Sequence, residues 1–98
     1  MITEFLKTGK DNAVPSKVLA KMIGCRNVRD LQTLISQERQ QGAVILSTSR
    51  NGGGYYLPAD AEEVQEFVRT LDARARHTFL ALRSARKYLK EIENVDGN

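Results

Sequence analysis

Cysteine occurs once in this sequence, histidine once, tryptophan not at all and proline twice. Each scarcity excludes something. A single Cys25 cannot close an intrachain disulfide, so the fold has to hold by packing, and a reducing cytoplasm is the expected compartment. Ahead of a helix, a lone Cys is expected to be a small buried residue. One cysteine and one histidine cannot assemble a structural zinc site. The histidine, His77, has no nucleophile or carboxylate set beside it in the sequence, so the chain is not expected to be an enzyme, and it offers no cofactor, metal or small-molecule motif. No apolar run approaches the ~20 residues of a membrane span. The N-terminus lacks a basic region followed by a long apolar one, so neither a signal peptide nor a membrane partner is expected.

What is present is a globular composition: 98 residues, 41% hydrophobic and 28% charged, enough for one modest core. The net charge of +3 is unevenly spread. Residues 1–58 hold eight Lys and Arg against four Asp and Glu, whereas residues 59–98 hold seven against eight. The basic excess lies in the first part, where Lys and Arg could neutralise phosphates.

Punctuation by Gly and Pro divides the chain. Ile2, Phe5 and Leu6 suggest a first short helix, and residues 8–14, with Gly9, Asp11 and Asn12, a loop. Pro15-Ser16 starts a helix, with Ser16 able to cap it. That helix turns Val18, Leu19, Met22 and Ile23 inward and ends at Gly24. After a turn of about four residues, Asn27 caps a second helix over 27–41, with Asp30 in its first turn. Val28, Leu31, Leu34, Ile35 and the stem of Glu38 form its inner face, and Gly42 ends it. Residues 43–48 read as a strand, 49–54 as a glycine hairpin and 55–57 as the returning strand, closed by Pro58. The triple glycine lacks the Lys-Ser/Thr of a phosphate-binding loop.

Helix, turn, helix and wing in this order make a winged helix-turn-helix head over residues 1–58, a mainly α fold with one small β-hairpin. In this arrangement the second helix enters the major groove. Its outer face carries Arg29, Gln32, Thr33, Ser36, Gln37 and Gln40. Arg can bond guanine and Gln adenine in bidentate fashion. Arg26 and Asn27 at the helix start suit phosphate, Lys17 and Lys21 the backbone, and Arg50 and Asn51 at the wing tip the backbone or minor groove.

Residues 59–98 hold Asp60 as cap, Glu63 in a capping box, and then a helix to about Asn94. Val64, Val68, Leu71, Ala75, Thr78, Leu82, Ala85, Leu89 and Ile92 alternate in steps of four and three, a heptad seam that makes this long C-terminal helix a coiled-coil dimerisation element. Phe67, Phe79 and Tyr88 widen the stripe. The first turns (Val64, Phe67, Val68, Leu71) can pack on the head. Leu71, Ala75, Thr78, Phe79, Leu82, Ala85, Leu89 and Ile92 are the expected homodimer contacts, and strand direction is left open by Asp72, Arg74, Arg86 and Glu93. Folding back on the head and docking on another protein are the alternatives.

The segments Leu19-Ala20-Lys21-Met22-Ile23-Gly24, Val28-Arg29-Asp30-Leu31, the run Ile35 through Ser47 and, most specifically, Gly54-Tyr55-Tyr56-Leu57-Pro58 resemble small winged helix-turn-helix proteins of bacteria and their phages, across residues 14–58. The resemblance implies a phage-related or bacterial transcription regulator, dimeric, bound to double-stranded DNA. The alternative is a non-catalytic protein–protein interaction module of a phage or replication assembly, since some winged helices bind only protein.

Overall fold

The computed structural model describes residues 1–96. The described residues are mainly helical, with one two-stranded antiparallel sheet: α1 (Ser16–Ile23), α2 (Val28–Gln40), β1 (Leu46–Thr48), β2 (Gly54–Tyr56) and α3 (Ala61–Asp96). Two compact units divide the chain, Met1–Phe67 and the residues from Val68 on. None of the described helices is long and apolar enough to cross a membrane.

In the first unit, α2 supplies the floor of the core. Leu31 and Ile35 are fully buried there, against Leu19 and Ala20 of α1 and against Ile2, Val14 and Ile45. Burying one such side chain contributes about 1.5–3 kcal/mol. The expected inner face of α1 is corrected: Ala20 is buried, whereas Val18 and Met22 are 48% and 49% exposed. Ala20 joins Leu19 in the core cluster in their place.

The expected first helix is instead a single 3-10 turn, Ile2–Phe5. So few residues cannot offset helix nucleation. What fixes this turn is α2: the Ile2 N–H donates to both carboxylate oxygens of Glu38, at 3.1 and 3.0 Å. The expected loop at 8–14 contains a second 3-10 turn, Lys10–Asn12, and is tied to the hairpin by two isolated bridges, Thr8 to Leu57 and Val14 to Tyr55. Val14 and Tyr55 exchange N–H to carbonyl bonds of 2.8 and 3.0 Å. Leu57 donates to the Lys7 carbonyl, and Gly9 to that of Leu57, each at 2.8 Å. So β2 has β1 on one side and the 7–14 segment on the other, and its free edge is covered.

The hairpin is shorter than expected, three residues on each side in the register Leu46↔Tyr56, Ser47↔Tyr55 and Thr48↔Gly54. Residues 43–45 lead into it irregularly, with Ile45 buried and Val44 exposed. Gly54 is where the hairpin meets the 7–14 segment, because a Cβ there would lie 2.7 Å from the Val14 carbonyl oxygen.

α3 begins as expected, with the Glu63 N–H donating to Asp60 Oδ1 at 2.9 Å. The Glu63 carboxylate departs from a simple capping box: it accepts from the Ala59 N–H and from the Lys10 N–H, both at 2.9 Å. Val64 and Phe67 are half-buried in the first unit. The expectation that Val68 and Leu71 pack likewise is corrected, since both are exposed. In the second unit α3 continues alone, and every side chain from 68 to 93 is exposed.

Gly54→Ala is expected to destabilise the first unit by about 2 kcal/mol or more, since its new methyl meets backbone that cannot turn aside. A lowered urea midpoint at unchanged m-value checks this.

Candidate nucleic-acid interface

A helix that spends one face on the core leaves its opposite face to solvent. On α2 the buried Leu31 and Ile35, with half-buried Val28, Leu34 and Glu38, define the inner face. Arg29, Gln32, Thr33, Ser36, Gln37 and Gln40 are all exposed on the other. Spacings of three and four residues set them in one continuous stripe.

Local chemistry fixes where that stripe begins. Gly24 closes α1 in the left-handed conformation (φ 92°, ψ 22°), and the Gly24 and Cys25 N–H groups both donate to the Ala20 carbonyl, at 3.0 and 2.8 Å. Cys25 then tucks against the core, partly buried. Asn27 caps α2, its Oδ1 accepting from the Asp30 N–H at 2.8 Å. At the start of α1, by contrast, Ser16 is the first helical residue and makes no cap; Pro15 precedes it.

The expected contact residues divide into two sets. Lys17, Lys21, Arg29, Gln32, Ser36 and Arg50 are exposed, and among the described residues their side chains make no hydrogen bond or ion pair. Lys17 and Lys21, one turn apart, share a face of α1. Arg50 stands in the 3-10 turn Arg50–Gly52 at the hairpin tip, where Thr48 Oγ1 accepts from its N–H at 3.1 Å. The backbone of Asn51 shares that turn, and its side chain lies outside the described residues.

Arg26, Asn27 and Thr33 form the second set, each engaged inside the protein. Arg26 Nε bonds Asp30 Oδ2 at 2.9 Å, and this carboxylate raises the arginine pKa. The Asn27 side-chain Oδ1 is the helix cap, and the Thr33 hydroxyl donates to the Arg29 backbone carbonyl at 3.2 Å. The Arg26–Asp30 pair also neutralises the one acid in the first turn of α2.

Two further cations of the basic excess are structural, which the sequence did not signal. Arg39 donates to the Ile45 carbonyl from Nε (2.9 Å) and Nη2 (2.6 Å), with its guanidinium carbon 5.2 Å from the centre of the Phe67 ring. Burial there pulls its pKa down. Lys10 Nζ bonds Glu66 Oε1 at 2.6 Å. Among the described residues of 1–58, the exposed cations left to meet an external anion are therefore Lys7, Lys17, Lys21, Arg29 and Arg50.

Asn27→Ala is expected to cost about 1 kcal/mol through the lost cap, with Asn27→Asp close to neutral in stability. Thermal unfolding of the two variants checks the assignment of Asn27 as a cap rather than a ligand.

No protein-family model matches this chain, and no curated protein or solved structure matches it, so the reading of this face rests on its own geometry.

Proposed function

We propose that this protein is a dimeric, sequence-specific DNA-binding protein, a cytoplasmic transcriptional regulator of prophage or bacterial origin. Residues 1–58 act as a winged helix-turn-helix head, with α2 in the major groove and the hairpin tip on the backbone or minor groove. The observation that carries this reading is the single stripe on α2: Arg29, Gln32 and Ser36 are exposed and unengaged, turned away from the buried Leu31 and Ile35. Arg29 and Gln32 carry the donor sets that read guanine and adenine edges. Lys17, Lys21 and Arg50 supply phosphate contacts that fix register and orientation without reading sequence.

A second reading has its own support. Val18, Met22 and Val44 are each about half exposed in the first unit, at 48%, 49% and 52%. Apolar exposure of that kind suits a protein-docking module of a phage or replication assembly.

The two readings part in one assay. Fluorescence anisotropy with random duplex DNA at low and moderate salt is expected to show binding that weakens steeply as salt rises. Arg29→Ala/Arg50→Ala is expected to reduce affinity at least tenfold and, through the lost phosphate contact of Arg50, to flatten the salt slope by about one. Absence of binding at low salt, by folded protein, would overturn the DNA reading in favour of the docking module.

A further inference from the structure

The unpartnered face of α3 carries more than apolarity: its flanking charges and side-chain volumes match themselves in one orientation. This inference deepens the dimer part of the proposed function and rests on it. We propose that α3 pairs with α3 of a second copy in antiparallel orientation, about a two-fold axis at the level of Leu80.

The seam from Val68 to Ile92 lies on one continuous helix, and all of it is exposed. An antiparallel pair packs each seam residue against one from the opposite end of its partner. With the axis at Leu80, Val68 meets Ile92 and Leu71 meets Leu89 of the second copy, closing both ends with large side chains. Ala75 then meets Ala85, and Thr78 meets Leu82. Phe79, 62% exposed and flanking the seam, meets Phe79 of the second copy beside the axis. The two rings fill the space that the flanking alanine layers leave.

Charge agrees with volume. In this register Asp72 faces Arg86 of the second copy, and symmetry makes the pair twice. Arg74 likewise faces the ring of Tyr88, a cation over an aromatic face. No like charges oppose one another along the described helix.

The competing arrangements lose these matches. A parallel pair sets Asp72 beside Phe67 and Arg86 beside Ala81, so neither charge finds its opposite, and it stacks Ala75, Thr78 and Ala85 each on itself. An antiparallel pair shifted one heptad toward the C-terminus opposes Asp72 to Glu93. Shifted the other way, it draws on Val64, which is half-buried in the first unit. Leu80 lies on the outer face and takes no part.

The register also sets a length. At ~1.5 Å rise per residue, the two Val68 positions, where each second unit starts, stand about 36 Å apart along the pair.

The test uses the full chain with Cys25→Ser. Ala75→Cys and Ala85→Cys are made separately, and the chains are oxidised alone and as a mixture. Antiparallel pairing predicts a 75–85 disulfide in the mixture and little cross-linking of either variant alone. Self-linking of both variants, or no link in any sample, overturns the proposal. So does a monomer in sedimentation at 100-fold dilution series up to the highest soluble concentration, with helical circular dichroism retained. Charge exchange then tests the register. Asp72→Arg and Arg86→Asp are each expected to weaken dimerisation about tenfold, and the double exchange to recover most of it. A double variant as weak as either single one overturns the register. None of these measurements contains DNA, so loss of DNA binding and loss of this pairing are read separately.

Discussion

The burial of Leu31 and Ile35 is the constraint on which the first unit depends. A unit of this size has one small core, and α2 is the element that Ile2, Leu19, Ala20 and Ile45 all pack against. Fixing the inner face of α2 fixes its outer face too, because both belong to one rigid cylinder. The stripe of Arg29, Gln32 and Ser36 is thus presented by core packing rather than by contacts of its own. A face held in this way can vary its side chains with little effect on stability.

Short strands and 3-10 turns cannot hold the rest of the unit by ladder hydrogen bonds alone, and long charged side chains take over. Glu38 reaches from α2 to the Ile2 N–H. Glu63 reaches from α3 to the Lys10 and Ala59 N–H groups. Arg39 closes on the Ile45 carbonyl beneath the Phe67 ring. Each joins a charged group to a backbone group, a stronger bond than one between neutral partners. Charge that the sequence offers to a ligand is thereby spent on the fold, and residues 1–58 keep five exposed cations, of which Lys17 and Lys21 lie one turn apart on α1.

The second unit follows a different logic. α3 there has no core of its own, and its apolar stripe contributes free energy only when a partner covers it. Its seam mixes Ala and Thr with Leu, Ile and Val, so orientation and register matter more than for a uniform leucine seam.

Much of this was legible in the residue order. Glycine at the end of α1, Asn27 before α2, Asp60 before α3 and the 3.6-residue spacing of Leu31, Leu34 and Ile35 set the helices and the exposed face of α2, because caps and periodicity act within a few residues. The glycine tip and flanking β-branched and aromatic residues set the hairpin for the same reason. Tertiary structure alone decided the rest. Whether Ile2–Phe5 made a helix or a turn depended on Glu38, 36 residues away. Whether residues 7–14 were loop or sheet edge depended on Tyr55 and Leu57, and which face of α1 turned inward on its packing against α2. Which cations stayed free was also decided at long range, by Ile45 for Arg39 and Glu66 for Lys10. Sequence determines what a residue can do with its near neighbours along the chain; only the fold determines which distant backbone or charge it meets.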